Sequence, residues 1–224
     1  MTSLLLLLGA LGMALCQWLI FCYAPVEVSM GLTQKIFYLH LPLAWWGLVS
    51  FMIVFVASVA FLWKRKASAM LLAKAAGEVG ELLALLTVIT GIIWGKTAWG
   101  VWWTWDPRLT TALVLCFLYA GWLMLHSLDF PEERKQMLCA VTGILAFLDV
   151  PLVFVSSRIW RTIHPAVFTS QGIQMSQEML ITVLCALLAF GFFFGGLVRL
   201  RLATLKAQAS IKSYQEQNTF SHSA

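Results

Sequence analysis

The sequence predicts an all-α integral membrane protein, a bundle of six transmembrane helices, and three observations carry that expectation. Of its 224 residues, 61% are apolar and 11% charged, and the mean hydropathy is +0.85. Soluble domains carry about 25% charged residues, so in water this chain would expose far too much apolar surface. The apolar residues fall into six runs, most of them close to the roughly 20 residues needed to cross a hydrocarbon core. Basic residues then collect in alternate loops, as they do when one side of a membrane is favoured.

Residues 3–22 form the first run. They lack a basic start and a small-residue cleavage site, so a retained helix is expected rather than a signal peptide. A short loop with Pro25 and Glu27 follows. Residues 37–63 are the second span, opening FYLHLPLAWWG and ending at Lys64, Arg65 and Lys66, a basic cluster that Lys74 extends. The third span is expected from about residue 80 to 93. Glu78 and Glu81 stand at its start, where carboxylates complement the positive end of a helix dipole. It is short, and the Trp-rich segment after it either completes it or lies across its end.

Residues 111–128 make the fourth span, closed by the polar turn DFPEERKQ around Pro131. The fifth, 137–155, carries Asp149 and Pro151. A loop over 156–178 contains SSRIWRTIHP, and 179–198 make the sixth span. The chain thus divides into a six-span domain over 1–198 and a polar cytoplasmic tail over 199–224. The five cysteines, Cys16, Cys22, Cys116, Cys139 and Cys185, lie inside apolar runs with no C-x-x-C spacing. That pattern indicates neither a disulfide framework nor a thiolate metal site.

Six crossings put both termini on one side. The loops on that side hold Lys64, Arg65, Lys66, Lys74, Arg134, Lys135, Arg199, Arg201, Lys206 and Lys212, against Lys35, Lys96, Arg108, Arg158 and Arg161 opposite. Ten against five places the termini in the cytoplasm and the Trp-rich loop outside, which in a bacterium is the periplasm.

That loop, WGKTAWGVWWTWDPRLT over 94–110, holds five of the chain's eleven tryptophans. Were it helical, Trp99, Trp102, Trp103 and Asp106 would share one face at i, i+3, i+4 and i+7. A shelf of indoles ending in a carboxylate suits a flat apolar ligand, whereas an interfacial belt would spread its rings over many helix ends. His40, near the outer end of the second span, and His164, in the loop after the fifth, fall on the same side. His126 and His222 fall on the other. Two outward imidazoles beside an aromatic shelf are what bis-histidine ligation of haem iron requires, against the alternative of two amphipathic interfacial side chains. Lys96, Arg108, Arg158 and Arg161 are candidate partners for propionates. Arg108 has a second reading as a surface ion pair with Asp106. Asp149 is either functional, as carboxyls within spans often are, or a packing hydrogen bond beside the Pro151 kink.

WGVWWTWDPRLT closely resembles the tryptophan-rich motif shared by the haem-handling membrane proteins of cytochrome c maturation, and among these the chain is similar to the compact six-span CcmC family. KIFYLHLPLAWWG and DVPLVFVSSRIWRTIHP agree, so the likeness covers most of residues 33–165; Pro107 departs from the pattern, where relatives often have a small residue. The resemblance implies haem b held at an outward site, with His40 and His164 as axial ligands to iron. It implies a platform of Trp99, Trp102, Trp103, Trp105 and Asp106, with Arg108 beside it. It implies work with CcmA, CcmB and CcmD in a bacterial inner membrane, and delivery of haem to the periplasmic chaperone CcmE. A haem–apocytochrome ligase of the larger class sharing the motif would have more spans and histidines than this chain supplies. A cytochrome b-like redox subunit would place histidine pairs deep in facing spans, and a plain transporter subunit would use the tryptophans only as a belt. No G-x-x-x-x-G-K-[ST] occurs, so ATP hydrolysis would belong to a partner, and a haem carrier rather than an enzyme is expected.

Overall fold

A computed structural model describes residues 1–159, 168–169, 172–173 and 175–222, with side chains for 1–156, 175–215 and 218. Helix α1 (Thr2–Trp18) runs into a π-helical turn, Leu19–Tyr23, and a 3₁₀ turn, Leu32–Ile36, leads into α2 (Phe37–Lys64). Helices α3 (Ala67–Trp99), α4 (Pro107–Leu125), α5 (Glu132–Phe147) and α6 (Asp149–Ile159) follow. A two-stranded antiparallel hairpin, β1 (Phe168–Thr169) with β2 (Gly172–Ile173), precedes α7 (Gln177–His222). Among the described residues, six helical stretches are long and apolar enough to cross a bilayer. Helices dominate for a physical reason: in hydrocarbon, backbone N–H and C=O groups must be satisfied within the segment itself.

Three boundaries differ from the sequence reading. The third span is not confined to 80–93 but begins at Ala67 and ends at Trp99, so Glu78 and Glu81 stand about three turns inside it rather than at its dipole. Glu78 is instead gripped by Arg201 of α7, which donates from Nε to Oε2 and from Nη2 to Oε1 at 2.9 Å. Glu81 is buried. The fifth span is two helices, broken at Leu148 between α5 and α6. Pro151 has no N–H to bond the carbonyl four residues back and crowds it, which interrupts the helix there. The residues after 198 continue α7 as one unbroken helix to His222.

Lipid tails are as apolar as leucine, so helices in a membrane associate through close packing and interhelical hydrogen bonds rather than through exclusion from water. Both devices are visible here. The α1–α7 pair touches backbone to backbone at Gly9, where an added Cβ would come within 2.8 Å of Phe193 N. Helices α2 and α3 form a hairpin whose turn is only Arg65 and Lys66. Arg65 adopts the left-handed conformation, φ 52° and ψ 28°. Ser50 Oγ donates to the Ala76 carbonyl and ties the pair midway. The centre of the bundle is aromatic: Phe51 stacks on Tyr119 with centroids 3.7 Å apart, and Trp122 donates from Nε1 to the Cys139 carbonyl at 2.7 Å. The Trp122 ring lies flat over Gly77, so close that an added Cβ would sit 2.4 Å from Cζ3.

Gly77→Ala is therefore expected to overpack this contact and cost about 1–3 kcal/mol. Gly121→Ala, where an added Cβ meets nothing within 4 Å, should be neutral or slightly stabilising. Thermal unfolding of the two purified variants in one detergent checks the contrast.

Candidate functional site

The Trp-rich segment is not a helical shelf. Helix α3 carries Trp94 and Trp99 and stops there, because Gly100 takes the left-handed conformation at φ 77° and its N–H returns to the Lys96 carbonyl at 3.1 Å. Only glycine enters that region without steric cost. Residues 101–106 are non-helical, and α4 begins at Pro107. The proline explains both facts: it disfavours helix in the residue before it and suits the first helical position, where no N–H is needed. Asp106 accordingly is extended, φ −70° and ψ 153°, and its Oδ1 accepts from Leu109 N at 2.9 Å as the cap of α4. Trp99, Trp102, Trp103 and Asp106 thus do not share a helical face.

The loop instead sorts its indoles into two sets. Trp94 is buried, 6.0 Å from Trp99 and 6.1 Å from Phe37 between ring centroids. Trp103 is half-buried and meets Trp105 edge-on at 5.6 Å. Trp102 and Trp105 stand out of the protein, 61% and 76% exposed. Lys96 fixes the turn from above: its Nζ donates to the Gly100 carbonyl at 3.0 Å and lies 5.6 Å from the Trp102 ring centre, so it is engaged locally. Beneath the loop, Trp94 Nε1, Trp103 Nε1 and Thr104 Oγ1 are buried without a hydrogen-bond partner among the described residues. The charge of Asp106 acts on Arg108, two residues on, so both ends of the sequence-predicted pair lie at the start of α4.

His40 is on the first turn and a half of α2, at the same end of the bundle. Its ring meets Trp94 edge-on at 5.7 Å and lies against Gly91 of α3, where an added Cβ would approach Cε1 to 3.1 Å. Its Nδ1 is 2.9 Å from Thr90 Oγ1. The Thr90 hydroxyl, with one proton to give, also lies 2.8 Å from the Leu86 carbonyl and 3.1 Å from the Thr87 carbonyl, both of which only accept. When that proton goes to a backbone carbonyl, the Thr90 oxygen is open to an Nδ1–H donor, and in that tautomer the imidazole lone pair falls on Nε2. This is the outer-shell arrangement that orients a histidine for a metal.

His40 and the tryptophans thus meet through Trp94. His164 and Arg161 lie outside the described residues, as does the side chain of Arg158, although its backbone belongs to α6. Reading the sequence missed Thr90 and Gly91, since no local pattern marks them. Trp94 could have been found, as it stands within the motif. Thr90 also lines the larger space nearby, a mainly apolar cavity of about 420 Å³ walled by α1, α2, α3 and α7.

The CcmC family profile, described as heme exporter protein C, matches residues 1–217. The chain belongs to the CcmC family. Members at this distance include a heme exporter protein C of Haemophilus influenzae, 34% identical over 84% of this chain and 78% of its own length. Another, of Bradyrhizobium diazoefficiens, is 33% identical over 82% and 69%. A putative cytochrome c biosynthesis ccmC-like mitochondrial protein of Marchantia polymorpha is 31% identical over 84% and 78%.

The local geometry separates a capping role of Asp106 from any role toward a ligand. Asp106→Ala should cost about 1 kcal/mol of thermal stability by uncapping α4, whereas Asp106→Asn, an equally good cap, should cost little. Comparing the two melts gives the capping share, and any ligand effect common to both variants is then a property of the carboxylate.

Proposed function

We propose that this CcmC family member holds haem at the outer end of the bundle and passes it on for cytochrome c maturation. The handled molecule is haem b, and its recipient is the periplasmic chaperone CcmE. The six-span domain of residues 1–198 does this work inside a complex with CcmA, CcmB and CcmD in a bacterial inner membrane. The loop of residues 94–110 faces the periplasm, and both termini, with the tail over 199–224, lie in the cytoplasm. The protein is a carrier, and any ATP hydrolysis belongs to its partners.

The observation that supports the reading best is the contact of His40 Nδ1 with Thr90 Oγ1 at 2.9 Å, on a ring held against Gly91 and Trp94. In the tautomer that donates from Nδ1 to Thr90, Nε2 is the basic nitrogen. A neutral imidazole held in this way is a good ligand for haem iron. His164 is the proposed second ligand. Trp99, Trp102, Trp103 and Trp105 offer the porphyrin apolar faces, and Arg108 can pair with a propionate. Transfer needs a site that a partner can reach. Trp102 and Trp105, exposed at the loop surface, are where CcmE would cover the ring while it competes for the iron.

His40→Ala and His164→Ala should each remove most of the haem absorbance of the detergent-purified protein. Thr90→Val, which leaves the ring in place but withdraws its acceptor, should weaken haem retention roughly tenfold or more. Undiminished haem binding in both histidine variants would sink axial ligation. Trp105→Ala, which removes one of four apolar faces, should lower haem retention less than either histidine variant and slow the appearance of the remaining haem on CcmE in a reconstituted transfer assay.

A further inference from the structure

The end of the bundle farthest from His40 contains a second, chemically different pocket. It is a cavity of about 140 Å³ bounded by Met70, Leu71 and Lys74 of α3, His126 after α4, Glu132 and Lys135 of α5, and Leu205 of α7. Water takes up about 30 Å³ per molecule in the liquid, so the space admits a phosphate-sized group and little more.

Its charges are arranged unusually for a membrane protein's basic end. Lys64, Arg65 and Lys66 close by are exposed, as snorkelling residues should be. Lys74 and Lys135 are half-buried instead, and neither makes an ion pair among the described residues. Of the carboxylates near them, Glu78 is already neutralised by its two-point contact with Arg201. Glu132 accepts from Gln136 Nε2 at 2.8 Å and leaves one negative charge against two positive ones.

Between the lysines stands His126, held edge-on against Trp122 at 4.6 Å. Its Nε2 is buried and has no hydrogen-bond partner among the described residues. Burial and the Lys74 charge push its pKa down to about 4, so at neutral pH the ring is uncharged and has one N–H to donate. Two ammonium groups and an imidazole thus surround a hole with too little negative charge to balance them. His126 directly follows the apolar stretch Pro107–Leu125, which sets the cavity at headgroup depth. Met70, Leu71 and Leu205 provide an apolar edge.

We propose that this pocket binds the phosphate of an anionic lipid headgroup, held by Lys74, Lys135 and His126, with its acyl chains running along the apolar edge. Basic pockets between transmembrane helices recognise lipid headgroups by this chemistry. Phosphatidylcholine is a poor occupant because its own ammonium neutralises its phosphate. The site is independent of haem, and its competitor in solution is inorganic phosphate.

The test uses the full chain, purified in detergent and stripped of lipid, then given phosphatidylglycerol, phosphatidylcholine or inorganic phosphate. Retained lipid is counted by native mass spectrometry, and thermal unfolding is followed in parallel. Wild type should retain phosphatidylglycerol in preference to phosphatidylcholine and melt at a higher temperature with it. Lys74→Gln and Lys135→Gln should each weaken that retention about fivefold, while the exposed-site control Lys64→Gln/Lys66→Gln should not. His126→Leu, which removes the N–H donor, should also weaken phosphatidylglycerol retention and serves if a lysine variant fails to fold; unchanged retention there would count against the site. A stabilisation by inorganic phosphate that the lysine variants lose would keep the pocket and assign it to the free ion. Equal retention and equal melting in wild type, both lysine variants and the control would overturn the proposal.

Discussion

The hydrogen bond between His40 and Thr90 depends on the close approach of α2 and α3, seen at Gly47, Gly80 and Gly91. A two-residue turn at Arg65 and Lys66 starts that contact at one end of the bundle, and the Ser50 bond to the Ala76 carbonyl continues it midway. At the other end Gly91 has no side chain to hold the helices apart, so the imidazole lies directly on α3. Packing, not local preference, therefore sets the ring's direction and its contact with Thr90. A side chain lodged anywhere along this seam would move His40 relative to Trp94, which explains why small residues recur between the two helices.

The Trp-rich loop follows from a conflict between two helix signals. Gly100 ends α3 and Pro107 starts α4, and the six residues between them belong to neither. A helix through this stretch would have put four polar or aromatic groups on one face. Its interruption leaves Trp102 and Trp105 outside, while Trp94, still within α3, faces inward against His40. Exposed indoles of this size are costly in water, but at a membrane surface they are comfortable, and they present a face that either a flat ligand or a protein partner can cover. Capping by Asp106 gives the loop a firm far edge.

Inside the bundle the polar groups are few and specific. Glu81 and Asp149 are both buried, and Glu81 Oε2, Asp149 Oδ2 and the Tyr119 hydroxyl lack hydrogen-bond partners among the described residues. Asp149 opens α6 just past the break at Leu148, where the proline has already loosened the backbone. Carboxyls in hydrocarbon are expensive. Their concentration around α4, whose inner face also supplies Trp122 and leads to His126, contrasts with the dry glycine-packed contact of α1 with α7.

Much of this protein was legible from residue order. Runs of apolar residues near the length of a bilayer determined six crossings and an all-α architecture, because backbone groups in lipid have nowhere else to bond. The dense tryptophan motif points to the family, and counting spans puts His40 at the same end of the bundle as that motif, where the two meet. Helix ends are less legible: Glu78 and Glu81 read as the start of a short third span, yet Arg201 pairs with Glu78 and the packed interior buries Glu81 within a longer helix. What only the tertiary structure decided was the set of contacts between helices. Thr90 meets His40 across fifty residues of sequence, and Lys74, His126 and Lys135 meet from three helices. Hydropathy records how deeply a residue sits in the membrane, but the angular face that one helix turns to another is set by packing, and that leaves no mark in either segment alone.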